Sequence, residues 1–174
     1  MIDPRLQKPV NAKLVLILII VFAAVIRLYG IEDKCFSMDE AFSFEVCHGL
    51  RYDDTTPDLF YDICSVFLSL PFSNEVNGRL LSVIAGVLTV FVIYYIVNSL
   101  FSKKTALMIT VMCSINPILV QISQEMRAYG LIAFFLSVSI LSILKLAGDR
   151  NDEQTGKWKT DYFWILLFIV SSTV

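Results

Sequence analysis

Asp39 and Glu40 stand side by side in Ser37-Met38-Asp39-Glu40-Ala41-Phe42, just after a long apolar run. Ser37 followed three residues later by Glu40 is a capping box, so a short helix is expected to begin near Met38. A carboxylate in the first turn of a helix is held ionised by the helix dipole, and an ionised carboxylate can take a proton from an attacking hydroxyl. The same residues are also ordinary helix-start chemistry, with Glu40 doing no more than complete the box. A second set, Gln121, Gln124, Glu125, Arg127 and Tyr129, lies between two further apolar runs. In a continuous helix Gln121, Glu125 and Tyr129 form one stripe, whereas Glu125 and Arg127 do not face each other, so each charge needs another partner. A solvated turn is the plainer alternative. Arg27 and Arg79 form a third set, one closing an apolar run and one opening the next. Each guanidinium suits a phosphate, through two parallel hydrogen bonds, or simply anchors a span at the interface. A base, an acidic neighbour and cationic phosphate ligands together would serve transfer from a lipid-linked phosphate.

These residues must be positioned by membrane helices. Of the 174 residues, 56% are hydrophobic and 17% charged, and the mean hydropathy is +0.69. That excludes a disordered tail, a basic nucleic-acid-binding module and an ordinary cytosolic globule. The expected fold is an all-α membrane protein with four transmembrane helices plus a partial fifth. The spans are placed at about 13–31, 80–101, 105–124, 128–145 and, in part, 162–174, around an outer loop at 32–78. No small-x-small cleavage site follows the first run, so it is a retained anchor.

Nine of the 14 basic residues (Arg5, Lys8, Lys13, Lys103, Lys104, Lys145, Arg150, Lys157 and Lys159) fall on one side, which is assigned as cytoplasmic. The loop at 32–78 carries ten acidic residues and two basic ones and is assigned outside. Within it, Pro57 to Leu70 has the spacing of an amphipathic helix, lying either flat on the interface or in the core of a small outer domain. Cys35, Cys47 and Cys64 share this loop; one disulfide in any of three pairings, or three thiols, fits equally. Their spacing with His48 matches no common zinc pattern. The sequence requires no cofactor, although a divalent metal is compatible with it.

Five segments, in order, resemble the membrane glycosyltransferases of the C superfamily, above all the protein O-mannosyltransferase and lipid A aminoarabinose transferase group. They are "AVIRLYGI", "FSMDEAFSF", "DTTPDLFYDI", "NEVNGRLLSVIAGVLTV" and "LFSKKTALMITVMCSINPILVQISQEMRAYGL". The last, with Ser-Gln-Glu-x-Arg-x-Tyr, is the most specific. Where that group often has His-Pro-Pro, this chain has Thr56-Pro57-Asp58. The resemblance implies inverting transfer of a sugar from a polyprenyl- or dolichyl-phosphate donor to an acceptor hydroxyl of a protein, lipid or glycan, on the outer side of the membrane. It implies Asp39 as general base with Glu40 beside it, Arg27 and Arg79 on the departing phosphate, and Glu125, Arg127 and Tyr129 lining the cleft. Membrane lipids are expected partners and nucleic acid is not. A multi-pass protein of a prokaryotic cell membrane is expected. The chain ends inside an apolar run, which reads as the N-terminal part of a longer membrane domain. The alternatives are a non-catalytic membrane subunit, a transporter fragment or an inactive remnant of the enzyme family. A transporter would be expected to carry polar groups near mid-membrane, and here the ionisable residues cluster toward one face.

Overall fold

The computed structural model describes residues 11–51, 58–150 and 162–172. Arg5 and Lys8, the Thr56-Pro57 pair, and Lys157 and Lys159 lie outside the described residues. Eight helices and no strand appear among the described residues: α1 (Ala12–Leu28), α2 (Met38–Cys47), α3 (Asp58–Leu68), α4 (Asn74–Leu100), α5 (Lys103–Ile115), α6 (Pro117–Ser123), α7 (Tyr129–Arg150) and α8 (Tyr162–Ser172). The described residues are thus all-helical outside their turns, as expected from the sequence.

Helix α4 is the axis of the molecule. Ser73 caps its N-terminus, accepting from the Val76 N–H. It runs for 27 residues, about 40 Å at 1.5 Å per residue. α1, α3, α5, α6 and α7 all pack on it, and α8 packs on α7. Two helices, α4 and α7, are each long and apolar enough to cross a membrane, and α5 with α6 makes a third when the bent pair is counted as one span. α1 has 17 residues, about 25 Å, shorter than the run expected from 13 to 31. It stops at Leu28, where Gly30 turns the chain with φ +66°, a left-handed conformation that glycine adopts without a Cβ penalty.

The run at 105–124 is not one straight helix. It breaks at Asn116, and its halves meet at 59°. Pro117 explains the break: it has no N–H to donate and disfavours helical geometry in the residue before it. Asn116 then caps the new helix, its Oδ1 accepting from the Ile118 and Leu119 N–H groups at 3.0 and 3.1 Å.

In the segment between α1 and α4, α2 starts at Met38 with both halves of the capping box formed. α3 settles the choice left open by its sequence. Phe60, Tyr61 and Cys64 are buried with Leu81, Ala85, Met126 and Leu131, so α3 is a core helix seated on α4 and the start of α7. Asn77 closes the turn after it, donating to the carbonyls of Leu68, Leu70 and Phe72. Two small residues of the long helices mark close approaches. A Cβ at Gly86 would lie 2.0 Å from Ser123 Oγ, and one at Gly130 would lie 3.2 Å from the Ser82 carbonyl oxygen.

Candidate active site

The helix-start carboxylates have opposite fates, set by the direction each takes from the first turn of α2. Glu40 is buried. Its Oε1 accepts from Arg79 Nε at 2.8 Å and from the Met126 N–H at 3.0 Å, and its Oε2 accepts from Arg79 Nη2 at 3.0 Å and the Ser37 N–H at 2.9 Å. Burial alone pushes the Glu40 carboxyl up, but the hydrogen bonds from Arg79, Ser37 and Met126 outweigh it and bring the group down to about 2. Glu40 therefore joins three parts of the chain: the start of α2, the second turn of α4, and the turn before α7.

Arg79 is saturated. Besides its two bonds to Glu40, its Nη1 donates to the carbonyls of Ile31 and Lys34 at 2.6 and 2.9 Å, and its Nη2 to Cys35 at 3.3 Å. All five N–H groups of a guanidinium are thus engaged. The Arg79 guanidinium also lies over the Phe36 ring, 5.6 Å from its centre. Because α4 begins at Asn74, Arg79 lies inside the helix and is buried; it does not anchor an interface.

Asp39 points the other way. Its side chain is 73% exposed, and it meets Arg127 Nη1 at 3.2 Å. Arg127 Nη2 in turn donates to the Tyr129 hydroxyl at 3.2 Å, and the guanidinium lies 5.3 Å from the centre of the Tyr129 ring. The Tyr129 hydrogen bond, with Asp39 contributing, pushes Arg127 up, so it stays cationic. Residues 124–128 form a turn, not a helix. The stripe expected of Gln121, Glu125 and Tyr129 is therefore divided. Gln121 Nε2 does donate to Glu125 Oε1 at 2.9 Å, but Tyr129 serves Arg127. Both charges find partners other than each other, Glu125 in Gln121 and Arg127 in Asp39, although the turn lifts the helical restriction that kept them apart. Beside Asp39 an open groove of ≈ 360 Å³ is lined by Met38, Asp39, Ala41, Phe42, Glu45 and Arg51.

Arg27 stands apart from this cluster. It is fully buried, not at an interface. Its Nε donates to Ser123 Oγ, and its Nη1 to the carbonyls of Ala23 and Ser114, each at 3.2 Å. The helix break frees the Ser114 carbonyl, because the Ile118 N–H that would bond it is taken by Asn116. Arg27 Nη2 has no partner among the described residues. The side chain lines a cavity of ≈ 10 Å³ with Gly86, Thr89, Leu119 and Ser123, room for about one water.

Gln124, noted in the second set but given no role there, ties the end of α1 to this region. Its Nε2 donates to the carbonyls of Ile26, Arg27 and Tyr29. A signal was present, since Ser123 and Gln124 open the Ser-Gln-Glu-x-Arg-x-Tyr segment. The Met126 backbone N–H carried no signal at all, because any residue type supplies one. Among the described residues no group of three or more His, Cys, Asp or Glu side chains is placed to hold a metal ion.

A family model described as dolichyl-phosphate-mannose-protein mannosyltransferase matches residues 60–174. Arg79, Glu125, Arg127 and Tyr129 lie within the matched residues, while Arg27, Asp39 and Glu40 precede them. No curated protein and no solved structure gives a significant match.

Proposed function

The chain belongs to the dolichyl-phosphate-mannose-protein mannosyltransferase family, a family of membrane glycosyltransferases, and from that premise we propose that it serves mannosyl transfer from a polyprenyl- or dolichyl-phosphate donor to a hydroxyl, with Asp39 as general base. The observation that carries this reading is the division of labour within the acidic pair. Asp39 is exposed beside a groove and held by a cation, whereas Glu40 is buried with both oxygens engaged. Only the former is free to receive a proton.

In the proposed reaction the acceptor hydroxyl lies in the groove lined by Met38, Phe42 and Arg51. Its oxygen attacks the anomeric carbon from the face opposite the phosphate, and its proton passes to Asp39. The bond from that carbon to the phosphate oxygen breaks, inverting the configuration, and the lipid phosphate leaves as the anion. Arg127 is the cation best suited to meet that anion. It is partly exposed, next to Asp39, and steadied by Tyr129. Arg79 has no N–H left to offer a phosphate, so its contribution is to hold Glu40 and the start of α2 in place. Arg27, buried against α5 and α6, likewise positions the end of α1. Glu125 borders the same turn.

The test replaces Asp39 by Asn, which keeps size but removes the proton acceptor. Membranes carrying Asp39→Asn are expected to lose transfer from a radiolabelled mannosyl-phosphate lipid by about 10²-fold or more, with donor binding within about twofold of the unchanged chain. Near-normal turnover would sink the assignment of Asp39. An Arg127→Gln variant should weaken donor binding as well as turnover, and unchanged binding would remove Arg127 from the phosphate.

A further inference from the structure

We propose that Arg27 holds a monatomic anion, chloride, in the cavity where α1, α4, α6 and α7 meet, and that this anion neutralises a charge the fold leaves uncompensated. The proposal stands apart from the transfer chemistry. Two buried arginines make the contrast. Arg27 and Arg79 are 0% and 3% exposed. Arg79 meets a carboxylate, that of Glu40. Arg27 meets none: the ion pairs among the described residues join Arg51 to Glu45, Arg79 to Glu40 and Arg127 to Asp39. The groups that Arg27 does bond, the Ser123 hydroxyl and the Ala23 and Ser114 carbonyls, are all neutral. A guanidinium does not shed its proton inside a protein. The positive charge therefore stays, and an unpaired charge removed from water is strongly destabilising.

The cavity supplies a place for the missing charge. Nη2 is the one nitrogen of Arg27 with no partner among the described residues. The side chain lines the ≈ 10 Å³ cavity with Gly86 and Thr89 of α4, Leu119 and Ser123 of α6, and Ala133 of α7. That space suits one small sphere and excludes a phosphate or a carboxylate, each of which has several heavy atoms. A water satisfies an N–H group and leaves the charge whole, whereas a halide ion does both. The two hydroxyls on the wall already donate elsewhere, Thr89 to the Ala85 carbonyl at 2.8 Å and Ser123 to the Leu119 carbonyl at 2.6 Å. The Nη2 N–H groups are thus the donors left to hold an anion. Arg27 closes α1, and its partners Ser114 and Ser123 belong to the two arms of the bent pair. An anion here fastens α1 to the bend, and as a ligand of the folded state it raises stability with its concentration.

The experiment measures equilibrium binding of radioactive chloride to the full chain in an uncharged detergent. Saturable binding of one chloride per chain is expected, displaced by bromide but not by gluconate, which is too large for the cavity. Arg27→Met should abolish it. Because that variant also removes three hydrogen bonds, a second variant, Ala133→Leu, fills the cavity and leaves Arg27 in place. It should lose chloride binding while keeping its helical circular dichroism. Replacing gluconate by chloride at constant ionic strength should raise the melting temperature of the unchanged chain and leave that of Ala133→Leu where it was. Absence of saturable chloride binding by the unchanged chain would mean that water alone occupies the cavity, and would overturn the proposal. So would chloride binding that persists in Ala133→Leu.

Discussion

At the scale of single residues, the pair Asp39–Glu40 shows how neighbours in sequence can differ in kind. Glu40 and Arg79 are a buried, fully hydrogen-bonded ion pair. Such pairs add little over an apolar replacement, but removing one partner strands a buried charge at a cost of about 3–5 kcal/mol. Glu40→Gln is therefore expected to lower the detergent melting temperature strongly, and Glu40→Gln with Arg79→Met to recover part of the loss. A melting curve for Glu40→Gln that overlays the parent's would refute this. Asp39→Asn breaks only an exposed contact and should cost at most about 1 kcal/mol. The pair also fixes a pH dependence. The folded Glu40 carboxyl titrates at about 2, below the roughly 4.3 of an unfolded glutamate. The unfolded chain thus takes up the proton first as pH falls. The stabilisation, about 3 kcal/mol, is complete above about pH 5 and is lost as pH drops toward 2. Unfolding followed between pH 5 and 3 should show this loss in the parent and a flatter profile in Glu40→Gln.

Among the elements, the bent pair α5–α6 matters most. A straight span would have satisfied its own backbone and left Arg27 without the Ser114 carbonyl. The break at Asn116-Pro117 also brings Ser123 against Gly86. A methyl at Gly86 would collide with Ser123 Oγ and Cβ, at 2.0 and 2.8 Å, and approach Arg27 Nε at 3.1 Å. Helix α6 or α4 would have to move. Gly86→Ala should destabilise by about 1–3 kcal/mol despite the better helix propensity of alanine. Gly49→Ala, where no atom lies within 4 Å but φ is +69°, gives a contrasting case of backbone strain alone. Equal or greater stability of Gly86→Ala in a thermal melt would mean the helices are not held at this distance. Three glycines of the long helices sit at close contacts: Gly86 against Ser123, Gly78 against Met126 and Gly130 against the Ser82 backbone.

For the whole molecule, orientation is the property to test. Lys103 and Lys104 lie at the end of α4 opposite Asn74, and the acidic segment carrying α2 and α3 lies at the Asn74 end. From charge bias the lysines are expected inside. With native cysteines replaced by serine, single cysteines at Asn74 and Gln154 are expected to differ toward a membrane-impermeant maleimide in intact cells. The first should label and the second should not. Labelling at Gln154 alone would put the Asp39 groove in the other compartment and remove the proposed acceptor site from the outer side.

What the sequence alone determined was whatever acts over three or four residues. The capping box at Ser37 and Glu40 began α2 where expected, and the Pro57–Leu70 spacing gave α3. Apolar runs located the long helices, and the five ordered segments carried the family. Only the tertiary structure decided which carboxylate is free, which arginine is spent and which helix is core. Those outcomes depend on partners distant in the chain: Glu40 on Arg79, 39 residues on, and on the Met126 N–H, 86 residues on. Arg27 depends on Ser123, 96 residues on. A backbone N–H or carbonyl has no signature in the identity of its residue. Its availability depends on where helices stop, as at Asn116, and how closely they approach, as at Gly86. Burial in three dimensions then divides two adjacent acids into a structural anchor and an exposed carboxylate.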